Sequence, residues 1–129
     1  FVVFKIYNDS LGDFAGDLVL RELGRIIKSS IREVDLAARY GGEEFAVILP
    51  YIENEKNNTV VAERIQSAIA AVKLPMGTEN ITRVTVSIGI AYCPYDAANS
   101  DDLIEKADMM LYHAKRTGKN KIYTSLDAK

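Results

Sequence analysis

The 129-residue chain reads as an α/β (α+β) domain, with helices laid on a mostly antiparallel sheet. Three observations predict this. Apolar residues recur at 3–4 residue spacing in three separate stretches. One stretch, residues 82–92, alternates with period two instead. Turn residues divide the pattern into the order β-α-β-β-α-β-α-β.

Phe1, Val2, Val3 and Phe4 are all apolar and read as the end of a buried strand, so the domain is expected to be a piece of a longer protein lacking most of its first strand. Residues 8–17 are rich in Asn, Asp, Ser and Gly and read as a loop. Residues 17–31 form a helix, with Leu20, Leu23, Ile27 and Ile31 on one face. Residues 36–39 and 45–49 are short apolar strands around Tyr40-Gly41-Gly42-Glu43-Glu44, the pattern of a β-hairpin that Pro50 ends. Residues 57–72 are a second helix, with Val61, Ile65, Ala68, Ile69 and Val72 inward; residues 74–80 are a loop. In 82–92, Val84, Val86, Ile88 and Ile90 face one side and Thr85, Ser87, Gly89 and Ala91 the other. Ser100 is the expected N-cap of a last helix, backed by Asp101 and Asp102. That helix runs to Arg116 and stops at Gly118, and residues 121–124 make a final strand.

Composition narrows the function. A net charge of −2 argues against a dedicated nucleic-acid binder. One cysteine (Cys93) excludes an internal disulfide, and with one histidine (His113) it leaves no zinc cluster of thiolates and imidazoles. Any metal is then held by oxygen, which favours Mg²⁺, Mn²⁺ or Ca²⁺. Cys93, His113, Met109 and Met110 read as packing or surface residues.

The hairpin tip is the most informative segment. Two glycines let the chain turn sharply and let a bulky ligand come close. Adjacent carboxylates at Glu43 and Glu44 repel each other, which a bound cation relieves; an ordinary solvated turn is the plain alternative. A second cluster, from Lys115 to Asn120, puts cations at a helix C-terminus. The macrodipole alone accounts for them, but a triphosphate beside a carboxylate-held metal also needs them. Asn8 and Asp17 together offer the donor and acceptors that the edge of guanine requires.

Five motifs in order resemble one family. They are Phe4-Lys5-x-x-Asn8-Asp9, Gly12-x-x-x-Gly16-Asp17, Arg39-Tyr40-Gly41-Gly42-Glu43-Glu44-Phe45, Val86-Ser87-Ile88-Gly89-Ile90-Ala91, and Ala107-Asp108-x-x-Leu111-Tyr112-x-Ala114-Lys115-x-x-Gly118-Lys119-Asn120. The chain resembles the GGDEF domain in its GGEEF variant over nearly its whole length. The resemblance implies an adenylyl-cyclase-like fold, a central five-stranded sheet surrounded by helices. It implies a bacterial diguanylate cyclase that condenses two GTP into cyclic di-GMP with Mg²⁺ (or Mn²⁺), as a homodimer under an upstream sensor domain. The expected place is the cytoplasm, with any membrane attachment left to upstream segments.

Carried onto this sequence, the resemblance implies that Glu44 and Glu43 are catalytic and hold the metal, with Glu44 nearest the attacking 3′-hydroxyl. Phe1 would lend a backbone carbonyl to the metal. Gly41 and Gly42 would lie along the nucleotide, Asn8 and Asp17 would recognise guanine, and Lys5, Lys115 and Lys119 would face the phosphates. Arg32 and Asp35 match the family's RxxD inhibitory product site, with Arg64 as a second contact. An acceptor-only carboxylate at Asp17 implies strict choice of guanine over adenine.

The sequence departs from the family at its start. The family's first strand ends Asp-x-Asp-x-Phe-Lys; Val2 stands at the second aspartate, and the first falls ahead of Phe1. Asp13 replaces the usual histidine. The intact GGEEF favours an enzyme. The departure at the metal-binding aspartate favours a receptor module that binds cyclic di-GMP or GTP, and a structural dimerisation domain is a third reading.

Overall fold

β1 (Val2–Asn8) lies at the centre of a five-stranded sheet because both of its faces are apolar enough to be covered. The computed structural model describes residues 1–9, 17–50, 55–76, 80–93 and 95–125, with backbone alone at 17–18, 55–58, 73–76 and 80–83. The other elements are α1 (Asp17–Ser29), β2 (Leu36–Arg39), β3 (Glu44–Leu49), α2 (Glu55–Ala71), β4 (Lys73–Met76), β5 (Asn80–Arg83), β6 (Val86–Tyr92), α3 (Ser100–Arg116) and β7 (Ile122–Thr124). The strand order is β2-β3-β1-β6-β7. β1 is antiparallel to β3 and β6, and β7 joins β6 in parallel. The mixed α/β architecture with a mostly antiparallel five-stranded sheet agrees with the expectation.

Alternation along the strands sorts residues between two covers. Phe4, Ile6, Val47, Leu49, Ile88 and Ile90 turn to the face of α1 and α2, where Leu23, Ile27, Ile65 and Ile69 complete the main core. Each such side chain contributes about 1.5–3 kcal/mol by leaving water. Val3 and Ala91 turn to the other face and meet Leu103 and Ala107 of α3. α3 lies so close to β6 that a Cβ on Gly89 would stand 2.2 Å from the Leu111 nitrogen.

Several elements differ from the sequence reading. β1 continues past Phe4 to Asn8, because Ile6 still finds apolar partners in Phe45 and Ile88 on its two sides. α1 ends at Ser29, where the Ser29 and Ser30 hydroxyls bond back to the Ile26 carbonyl. The expected loop at 74–80 contains strand: β4 pairs with β5 in a separate two-stranded sheet. The expected strand 82–92 is therefore split, and only Val86–Tyr92 enters the main sheet. All seven of its residues are buried, small ones included, because α3 covers the face that carries Gly89 and Ala91. The N-cap of α3 is Asn99, one residue before the expected Ser100; its side chain accepts from the Asp102 N–H at 2.9 Å. Gly118 leaves the helix at φ +127, in the region that favours glycine.

Candidate functional site

The end of β1 and the β2–β3 tip meet because antiparallel pairing brings Tyr7 opposite Glu44. The Asn8 N–H extends this contact, donating to the Glu43 carbonyl at 3.1 Å. The Tyr40 N–H donates to the Glu44 carbonyl at 2.8 Å and closes the turn. Arg39 braces it from outside, with its guanidinium 3.1 Å from the Gly42 carbonyl. The glycine pair is not needed for the turn itself. Neither glycine has a left-handed φ; a Cβ on Gly42 would meet nothing within 4 Å, and one on Gly41 only the Glu44 Cβ at 4.0 Å. What the pair leaves is a bare stretch of backbone beside two carboxylates.

Lys5 is buried in β1. Its side chain is 1% exposed, and Nζ lies 3.2 Å from Glu44 Oε2 and 3.3 Å from Asp108 Oδ1. The Tyr40 ring caps it, with Nζ 3.2 Å from the ring centroid. An odd-numbered β1 residue points to the α3 face, and the two carboxylates offset the cost of burying an ammonium there. Tyr7, the next residue on that face, hydrogen-bonds Glu43, and burial together with the negative charge of Glu43 raises its pKa above the ordinary tyrosine value. Lys115 of α3 sits 4.0 Å over the Tyr7 ring centroid.

The α3–β7 turn completes this end of the molecule. Lys119 and Asn120 both adopt positive φ (61° and 51°), a conformation costly for side-chain-bearing residues unless held. Asp9 supplies the hold. Its carboxylate accepts from the Asn120 N–H at 3.0 Å, the Ser87 hydroxyl at 2.7 Å and the Thr85 hydroxyl at 3.2 Å.

Phe1 is not part of this cluster. Its carbonyl accepts from the Cys93 N–H at 2.9 Å, at the opposite end of β1. Six residues of strand, roughly 20 Å, separate it from Tyr7. A cation at Glu43 is out of its reach. Asn8 reaches the tip through its backbone, while its residue as a whole is 1% exposed. Asp17 opens α1, and its side chain lies outside the described residues.

At the far end of β2, Arg32 forks onto Asp35, with contacts of 2.9 and 3.1 Å. This pairing holds the Arg32 guanidinium above its ordinary pKa. The Arg32 N–H also donates to Asp35 at 2.8 Å. Arg64 of α2 donates to the Ser30 carbonyl at 3.2 Å, so all three expected product-site residues gather at one turn. Between that turn and the tip, a cavity of about 470 Å³ separates α1 from the hairpin. Leu20 and Phe45 help to line it, and Arg21, Lys28 and Arg39 bring it positive charge. The sequence reading missed this cavity, although the seven-residue spacing of Arg21 and Lys28 puts both on one helix face. It also gave no role to Asp9 or Asp108.

The donors at the tip suit a hard divalent cation. Mg²⁺ commonly rests on one or two carboxylates and fills its shell with water and substrate phosphates. Glu43 and Glu44 provide that number at a half-exposed position. Among the described residues, no group of three or more His, Cys, Asp or Glu surrounds one point.

The chain belongs to the diguanylate cyclase GGDEF domain family, whose model matches residues 1–121. It is 41% identical to diguanylate cyclase A of Treponema denticola, over 95% of this chain and 32% of the relative. It is 35% identical to the response regulator PleD of Caulobacter vibrioides, over 92% of this chain and 26% of the relative. The chain thus spans about a third or less of these relatives. The GGDEF domain of TpbB (YfiN) from Pseudomonas aeruginosa superposes with a TM-score of 0.88 at 31% identity, covering 95% of this chain and 80% of that one. The GGDEF domain of DgcB from Caulobacter crescentus, solved in complex with c-di-GMP, gives 0.76 at 28% identity, over 95% and 76% of the two chains. No helix among the described residues is long and apolar enough to cross a membrane.

Proposed function

We propose that this domain condenses two molecules of GTP into cyclic di-GMP, releasing pyrophosphate, as the cytoplasmic output unit of a longer bacterial signalling protein. The observation that carries this reading is the bare glycine pair. A fold-driven turn would use its glycines for a left-handed φ or for tight packing; here neither applies, and two carboxylates stand beside the opening.

The chemistry is attack of the 3′-oxygen of one GTP on the α-phosphorus of the other. A divalent cation held by Glu43 and Glu44 supplies charge neutralisation at the phosphates when bound. Glu44 stands near the 3′-hydroxyl and takes part in its activation. Gly41 and Gly42 let the nucleotide lie against the backbone. Lys115 and Lys119 draw the phosphates in, the second from a turn that Asp9 holds. Asn8 and Asp17 select guanine. Each domain holds one GTP, so two copies face each other and positioning across a two-fold axis accelerates the step. Arg32, Asp35 and Arg64 bind the product and slow the enzyme.

Incubation of the protein with GTP and Mg²⁺, followed by product chromatography, tests the reading: cyclic di-GMP and pyrophosphate are expected in a 1:2 ratio. The ion pair between Lys5 and Glu44 favours a second reading, a receptor in which Glu44 is not free to act. Absence of product together with tight binding of added cyclic di-GMP would establish that one.

A further inference from the structure

The geometry points to Asp108 as a positioning residue that frees Glu44 for the divalent cation by keeping the buried Lys5 ammonium paired. This inference rests on the function proposed above and concerns how its acid pair becomes available.

Lys5 is enclosed at 1% exposure, so its ammonium cannot turn to water. It touches two carboxylates at nearly equal distance, Glu44 at 3.2 Å and Asp108 at 3.3 Å. They come from different elements, β3 and α3, and differ in exposure: the Glu44 side chain is 28% exposed and that of Asp108 48%. Once Glu44 turns toward a cation at the tip, Lys5 loses one of its two counter-charges. With Asp108 alone the ammonium keeps one counter-charge, 3.3 Å away. Without Asp108, drawing Glu44 away would leave a buried charge bare, a cost larger than the net value of the pair itself. Glu44 would then stay clamped to Lys5. Tyr40 does not remove the difficulty, since its ring face attracts the ammonium but neutralises no charge.

The test compares the wild-type protein with Asp108→Asn, Asp108→Glu, Lys5→Met and the double variant Lys5→Met/Asp108→Asn. Mn²⁺ binding is read by electron paramagnetic resonance in the presence of a non-reactive GTP analogue, with circular dichroism as a check on folding. Asp108→Asn is expected to weaken Mn²⁺ about tenfold. Asp108→Glu, which keeps the charge, should stay within about threefold of wild type. In the Lys5→Met background, Asp108→Asn should lose its effect, because no ammonium competes for Glu44. Purely structural damage would persist there. Wild-type Mn²⁺ affinity in Asp108→Asn, or an equal loss with and without Lys5, overturns the inference while leaving the cyclase reading intact. Failure of the wild-type protein to take Mn²⁺ with the analogue overturns both.

Discussion

The Asp9 carboxylate accepts the Asn120 backbone N–H at 3.0 Å and so ties the end of β1 to the left-handed turn that carries Lys119. The residues are 111 positions apart, so the bond fixes the Lys119 turn relative to the hairpin tip. Its two other acceptor contacts, to Ser87 and Thr85, hold the carboxylate itself in place.

Asp9→Ala is therefore expected to cost about 2–3 kcal/mol, since it removes a charged acceptor from three donors at once. Asp9→Asn keeps one acceptor oxygen and should cost about half as much. Urea unfolding measures both. In parallel, affinity for a GTP analogue should fall as the Lys119 turn loses its anchor. A loss under about 0.5 kcal/mol for the alanine variant would show that the turn holds itself.

Two glycines should respond in opposite ways to the same added methyl group. At Gly89 the new Cβ would stand 2.2 Å from the Leu111 nitrogen and 2.4 Å from the Ala107 carbonyl, so α3 must lift off β6. Overpacking of this kind costs about 1–3 kcal/mol, and more where backbone cannot yield. At Gly42 it would meet nothing within 4 Å of this chain. Gly42→Ala should leave unfolding within about 0.5 kcal/mol of wild type and yet lower GTP turnover at least tenfold. Equal effects on stability from the two variants would remove the argument that the tip is kept bare for a ligand.

That contrast also marks how far the sequence could be read. Periodicity was enough for the helices and for the hairpin, because Leu23, Ile27, Ile65 and Ile69 each belong to a regular apolar stripe. At β6 it sorted the two faces but could not show that a helix arriving from later in the chain covers Gly89. The β4–β5 hairpin was hidden by Pro75, a residue that usually argues against strand yet is tolerated in a two-stranded edge. At the site, the acid pair, the Arg–Asp fork and the C-terminal cations were legible as local motifs. The partners of Lys5 were not: Glu44 and Asp108 lie 39 and 103 positions away, and only the β1–β3 register together with the packing of α3 on β1 brings them to one point. Phe1 failed for the same reason, since its position along β1 decides its distance from Glu43.

Tyr7 gives a pH-dependent signature. Burial first, then the charge and hydrogen bond of Glu43, raise its pKa above the usual value near 10. Below that value tyrosine is neutral in both the folded and unfolded chain, so the contribution is fully present. Above it the unfolded chain releases the proton first, and stability declines as pH rises toward the folded pKa. Unfolding free energy measured from pH 9 upward should fall more steeply for wild type than for Tyr7→Phe. Ultraviolet titration should assign one late-ionising tyrosine to position 7. Parallel slopes for the two proteins would mean that Glu43 does not hold the hydroxyl.

Glu44→Gln separates the carboxylate's two tasks. The amide keeps the shape of the side chain and an oxygen near Lys5 Nζ, and Asp108 still supplies one counter-charge 3.3 Å away. The fold should therefore survive, with a melting temperature within a few degrees of wild type. The amide can neither hold a divalent cation well nor take part in activating a 3′-hydroxyl, because it carries no charge and is a poor base. Cyclic dinucleotide formation should drop by at least about a thousandfold, the scale expected when a charged group acting at the reacting atoms is removed. Binding of cyclic di-GMP at Arg32 and Asp35, at the far end of β2, should be unchanged by calorimetry. Turnover retained within tenfold would take Glu44 out of the reaction and turn attention to Glu43.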